Sequence, residues 1–161
     1  MKIAVTDASI FIDLYELDGL RWIKILELEV HTSNWVLNEL DTAQLRAVEQ
    51  IVDCTYTVSL DEIQHLKAPR GLSDADCSLL SVAERLPKNN FILLTGDNLI
   101  RKWCHSTGKE VHGILWIIDL LIEREMIEPK EGVILLHKLR KINQWLPQTE
   151  ILNRIDHWSA L

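Results

Sequence analysis

Short apolar strands alternating with amphipathic helices along 161 residues predict an α/β fold with a mostly parallel central sheet flanked by helices. Two of the strands stop on an aspartate, Asp7 and Asp97. After the last strand three helices follow one another without interruption, so one domain is expected over residues 1–161, with 113–161 as a helical C-terminal part. No repeat, low-complexity tract or Pro/Gly/Ser linker divides the chain, and its length suits one substantial core.

The elements follow from periodicity and punctuation. Lys2 to Thr6 reads as a short buried strand. Ser9 to Leu17 reads as a helix with Ile10, Phe11, Leu14 and Leu17 on one face. A second helix is expected around Leu20 to Glu27 and a short strand at Val30 to Thr32. Asn34 to about Val52 looks helical with a break near Asp41-Thr42, then a strand at Thr55 to Val58 and a short helix at Asp61 to Leu66. Pro69-Arg70-Gly71 is a turn, and Ser73 caps a strong helix that runs to Leu86 and is closed by Pro87. Phe91 to Thr95 is a strand, Leu99 to Ser106 a helix ended by Gly108, and Glu110 to His112 a short strand. The final helices are Ile114 to Glu125, Pro129 to Asn143 and Thr149 to Trp158, expected to pack against the sheet.

Composition narrows the functional classes. Hydrophobic residues make up 47% and charged residues 25%, an ordinary globular profile. Met1-Lys2 leads straight into a short apolar run, so no secretory leader is expected. Ile114 to Ile118, broken at Asp119, is too short to span a bilayer. Cys54, Cys77 and Cys104 are odd in number and far apart, which disfavours a disulfide framework or zinc site and favours buried thiols in a reducing cytoplasm. The net charge of −7 argues against nucleic-acid binding by charge alone. An acidic chain can still act on phosphodiesters if its carboxylates hold divalent cations. No Gly-x-Gly-x-x-Gly follows the first strand, which disfavours dinucleotide binding.

The acids are therefore judged by position. In an open parallel sheet, sites form beyond the carboxyl ends of the strands, and Asp7 and Asp97 would share that rim. Each, taken alone, also reads as a helix N-cap. On the helix from Ser73, Asp76 lies in line with Leu79, Leu80 and Ala83 and points inward. Asp74 lies with Ser78, Ser81 and Arg85 and is expected to face water. Ser73-x-x-Asp76 could be a variant capping box, or Asp76 could face a metal ion. Glu39, one turn from Trp35 and one from Ala43, reads by itself as a solvated residue at the edge of an apolar face. Arg101, Lys102 and His105 form a basic group behind Asp97, and Lys138, Arg140 and Lys141 read as a solvated helix face.

Taken together the segments resemble the PIN-domain family. Val5-Thr6-Asp7-Ala8-Ser9 is similar to its first motif and Asn34 to Leu40, carrying Glu39, to its second. Gly71-Leu72-Ser73-Asp74-Ala75-Asp76 with Leu79, Leu80 and Ala83 resembles the third, and Leu93-Leu94-Thr95-Gly96-Asp97 the fourth. Val111 to Asp119 and Leu146-Pro147 resemble a bacterial branch that includes toxin nucleases of the VapC type. The resemblance implies a PIN-like domain acting as a metal-dependent endoribonuclease. Asp7, Glu39, Asp76 and Asp97 would be its catalytic residues. Asp7, Asp76 and Asp97 would be ligands to Mg²⁺ or Mn²⁺, with Ser9 and Thr95 supporting them and Arg101 and Lys102 gripping substrate. Asp119 could support the ligands from behind or serve packing. RNA is the implied substrate, and an antitoxin protein or a homodimer the partner, with no membrane. The alternative is an adaptor that keeps the fold and binds RNA or protein without cutting.

Overall fold

A computed structural model describes residues 1–161. Its strands are β1 (Lys2–Thr6), β2 (Leu28–Ser33), β3 (Cys54–Tyr56), β4 (Phe91–Leu94) and β5 (Val111–His112). The helices between β1 and β4 are α1 (Ala8–Glu16), α2 (Trp22–Ile25), α3 (Asn34–Asn38), α4 (Thr42–Glu49), α5 (Leu60–His65) and α6 (Asp74–Arg85). Then come α7 (Asn98–Thr107), α8 (Ile114–Glu123), α9 (Pro129–Ile142) and α10 (Gln148–Ser159).

The five strands lie in the order β3-β2-β1-β4-β5, and every neighbouring pair is parallel. The sheet is thus wholly rather than mostly parallel. The chain winds outward from β1 through β2 to β3, then returns to the other side of β1 with β4. Connections on the two sides leave β1 and β4 in opposite directions, so a crevice opens beyond their carboxyl ends. Val5 pairs with Leu93 and Thr6 with Leu94, which brings the ends of β1 and β4 level. Ala4, Val5, Val30, Ile92, Leu93 and Leu94 are buried on both faces, the continuous apolar pattern of a sheet covered on either side.

Local capping sets the helix starts. Asp7, Ser33, Asp41, Ser59, Ser73 and Asp97 each accept a backbone N–H in the first turn of the following helix. The expected break near Asp41 is real: Asp41 and Gln44 form a reciprocal capping box that restarts the chain as α4. Gly108 ends α7 in a left-handed conformation, φ 70°, which a residue with a Cβ adopts at a cost. No helix is long and apolar enough to cross a membrane. All three cysteines are free, but only Cys104 is fully buried; Cys54 and Cys77 are partly exposed.

Two expectations need correction. The C-terminal helices pack chiefly on α1, α2 and one another rather than on the sheet, because the connecting helices already cover the strands. The polar face of α6 is solvated only at its ends: Asp74 and Arg85 are exposed as expected, but Ser78 and Ser81 are buried, because α3, α5 and β2 pack on that helix. Hydroxyls are admitted there because each is satisfied. Val36 N donates to Ser33 Oγ at 3.1 Å, the Ser33 and Ser78 hydroxyls meet at 2.6 Å, and Ser78 donates to the Ala75 carbonyl at 2.6 Å. Ser78 spends its only proton on Ala75, so Ser33 is the donor between the hydroxyls. This thread joins the start of α3 to the first turns of α6. Ser78→Ala would leave the Ser33 hydroxyl buried without its acceptor, a loss expected to cost about 1–3 kcal/mol in urea unfolding. A change within experimental error would show that the thread is not structural.

Candidate functional site

The rim beyond β1 and β4 gathers the acids. Asp7, Glu39, Asp76 and Asp97 all line one cavity of about 280 Å³, together with Ser9, Ser73 and Gly96. Asp7 follows β1 directly and caps α1, so its position is fixed from both sides. Its Oδ1 accepts from Ile10 N at 2.9 Å and Ser9 Oγ at 2.8 Å, and its Oδ2 accepts from the Thr95 hydroxyl. The residue is 3% exposed. Burial pushes its carboxyl up to about 6, against the pull of the Thr95, Ile10 and Ser9 hydrogen bonds, and the nearby Asp76 charge adds to the rise.

Thr95 and Ser9 tie the two strand ends together. Thr95 Oγ1 donates to Asp7 and accepts from Asp97 N at 3.0 Å. Ser9 Oγ donates to Asp7 and accepts from Gly96 N at 3.3 Å. Asp97 caps α7, with Oδ1 accepting from Leu99 N at 2.8 Å and Ile100 N at 2.9 Å. That leaves Oδ2 without a hydrogen-bond partner within the chain. Cap and cavity wall are one residue here, as they are for Asp7.

Asp76 is half-buried in the first turn of α6, where Ser73 Oγ accepts its backbone N–H at 3.1 Å. Asp74, two residues earlier, is exposed and outside the cavity. Burial raises the Asp76 carboxyl; hydrogen bonding at Ser73 opposes this and the charge of Asp97 reinforces it. Glu39 is exposed at the C-cap of α3, and the helix break removes it from the turn of Ala43. Partial burial, then the Asp76 charge, raise its carboxyl as well. Asp7 and Glu39 thus feel the charge of Asp76, and Asp76 that of Asp97. The donors are all oxygens, a set that fits a hard cation keeping part of its water shell, although no three His, Cys, Asp or Glu side chains already stand in ligating positions.

The basic candidates separate. Arg101 lines an adjoining cavity of about 590 Å³, whereas Lys102 is exposed and lines neither. Asp119 supports no rim acid: both its oxygens accept from Arg154, at 2.8 Å each. Asn143 and Trp145 escaped the sequence reading; with Leu146, which entered it only through the resemblance, they reach the wall from the turn between α9 and α10. Asp13 escaped it too. It is 5% exposed and accepts from Asn143 Nδ2 at 3.0 and 3.4 Å. Burial lifts its carboxyl to about 6, with Asn143 pulling the other way. Its spacing gave a signal: it falls three residues after Ile10 and four before Leu17, on the apolar face of α1.

A family model described as the PIN domain matches residues 3–160. No curated protein and no solved structure matches the chain. The matched span takes in β2 to β5, all of β1 but Lys2, and all four acids of the rim, and PIN domains are generally nucleases. The chain belongs to the PIN-domain family.

Proposed function

We propose that the chain is a metal-dependent endoribonuclease that hydrolyses RNA phosphodiesters at the rim of Asp7, Glu39, Asp76 and Asp97. The observation that carries this reading is the convergence of these carboxylates on one cavity at the crevice between β1 and β4. Asp7, Asp76 and Asp97 would hold Mg²⁺ or Mn²⁺. Such a cation, when bound, polarises the phosphodiester and lowers the pKa of an attacking water.

The chain's own residues supply position and proton traffic. Ser9 and Thr95 hold the Asp7 carboxylate in one orientation, so its remaining lone pairs face the cavity in a fixed direction. Asp97 keeps Oδ2 for the cavity because the amides of α7 engage only Oδ1. Glu39, on the outer side and exposed, is placed to orient a water and take its proton. Its raised affinity for a proton suits that role.

Asp76→Asn preserves shape and removes charge. It is expected to abolish metal-dependent RNA cleavage in a protein that stays folded, while Asp74→Asn cuts within a few-fold of wild type. Cleavage by Asp76→Asn but not by Asp74→Asn would assign the site to the wrong acid. No cleavage by wild type in Mn²⁺ would leave the non-cutting adaptor in its place.

The two pH trends should oppose each other. Asp7 binds its proton more tightly when folded, at about 6 against an ordinary 3.8, and Asp13 acts in the same direction. The native state then carries more protons than the unfolded one between those values, so stability rises as pH falls through that window. For Asp7 this amounts to about 3 kcal/mol, at ~1.4 kcal/mol per pH unit. In EDTA the Tm is expected to rise from pH 7 to pH 5, and to rise less in Asp7→Asn. Cation binding needs ionised carboxylates and stabilises by mass action. The Tm gain from millimolar Mn²⁺ is therefore expected to be largest at pH 7 and to shrink toward pH 5. The same gain in Asp7→Asn as in wild type would remove the metal site.

The resemblance of Val111 to Asp119 and Leu146-Pro147 to VapC-type toxins supports a toxin role, with an antitoxin protein restraining the nuclease. Expressed without a partner in bacteria, wild type is expected to slow growth and Asp76→Asn is not. Matching growth curves, with both proteins soluble, would exclude that role.

A further inference from the structure

The cavity of about 590 Å³ beside the carboxylates has a different character. It shares Gly96, Trp145 and Leu146 with the acidic cavity, so the two adjoin. Its size lies in the range of clefts that take small organic groups. Its walls carry three acids, Asp13, Asp119 and Glu150, but Asp119 is paired with Arg154 and Asp13 is buried against Asn143, and aromatic rings and one unpaired cation stand beside them. His112 and Trp116 stack with ring centroids 4.0 Å apart and planes 8° apart. Arg101 forms no ion pair with any carboxylate in a chain of net charge −7; its guanidinium donates only to the Thr95 carbonyl at 3.4 Å. It lies across Gly113, where a Cβ would come within 2.3 Å of Nη2. The glycine thereby leaves the guanidinium its place beside the end of β4.

Trp145 is the outermost feature. It is 96% exposed, an unusual state for a large apolar ring, yet its backbone is not loose. Trp145 N donates to Asn143 Oδ1 at 3.0 Å, and the same amide donates through Nδ2 to Asp13, buried in α1. Asn143 thus spans two anchors and fixes the turn that carries the ring to the lip shared by both cavities. An exposed aromatic ring on an anchored turn, in a groove that also holds an unpaired guanidinium, is the equipment of a single-strand binder: bases stack on the ring and the cation takes the phosphate.

We propose that this groove is a nucleotide subsite for single-stranded RNA. The base next to the scissile phosphate stacks on Trp145, and Arg101 meets a backbone phosphate. Asp13 and Asn143 act as positioning residues for the turn. The proposal rests on the nuclease reading for the identity of the strand.

The test uses the full chain carrying Asp76→Asn, in Mg²⁺, so that the RNA stays intact. Binding is read by fluorescence anisotropy with a labelled single-stranded RNA and with an abasic strand of the same length. Adding Trp145→Ala is expected to weaken binding of the RNA by roughly 5- to 150-fold and to leave the abasic strand unaffected. Trp145→Phe should restore most of the affinity. Arg101→Ala should weaken both strands equally and flatten the salt dependence. The Tm of Trp145→Ala should match its parent, since the ring is exposed. Equal effects of Trp145→Ala on both strands, no effect on either, or no binding of the RNA by the parent would each overturn the subsite. Cleavage by wild type is scored separately. Cleavage with no Trp145 effect removes the subsite alone, while a base-dependent Trp145 effect without cleavage removes the nuclease reading and leaves the subsite standing.

Discussion

A carboxylate buried at the junction of β1 and α1 is the constraint around which the rim is organised. Asp7 is inside the protein, where an ionised group without partners would cost several kcal/mol. Two hydroxyls and one backbone amide reduce that cost, and each comes from a residue that must be where it is for another reason. Ile10 is in the first turn of the helix that Asp7 caps. Ser9 also receives Gly96 N, and Thr95 also receives Asp97 N. Satisfying Asp7 therefore locks β1 to the loop after β4, and the same bonds deliver Asp97 to the crevice.

The other two acids reach that crevice through packing rather than through hydrogen bonds to Asp7. Asp76 is set by the start of α6 and Glu39 by the end of α3, and the buried Ser33–Ser78 contact fixes these helices against each other. A hydroxyl pair in a core is less forgiving than an aliphatic pair, because it tolerates little displacement before a buried polar group is stranded. Precision at the rim is thus supported by polar contacts in the layer beneath it. Mutual repulsion of the acids opposes the arrangement, and the rest of the fold must outweigh it.

The C-terminal helices complete the site without contributing an acid to it. The ion pair of Asp119 with Arg154 joins α8 to α10, and Asn143 bonds the end of α9 to Asp13 in α1. Between these two fastenings the chain is short, so residues 143–147 have little freedom to move away from the rim. The result is a groove that sets the His112–Trp116 stack, Trp145 and the unpaired Arg101 beside the cavity of the four acids.

The strands, the helices and their caps were legible in the sequence because they depend on neighbours. Alternating apolar runs, Asp41, Ser73 and Gly108 act over three or four residues, and the structure moves most of the predicted ends by only a residue or two. The inward direction of Asp76 was legible for the same reason, since helical periodicity places it in line with Leu79, Leu80 and Ala83. Periodicity misjudged Ser78 and Ser81, because a polar side chain is buried wherever distant partners satisfy it, and Ser33 and Glu62 are distant in sequence. It also missed Asn143 and Trp145, whose meaning depends on a turn docking on a helix about 130 residues away, as the separation of Asp13 from Asn143 records. By itself the sequence determined which segments fold and which acids end the strands. The tertiary structure alone decided what stands across from those acids, because burial and charge coupling are properties of surroundings assembled from the whole chain.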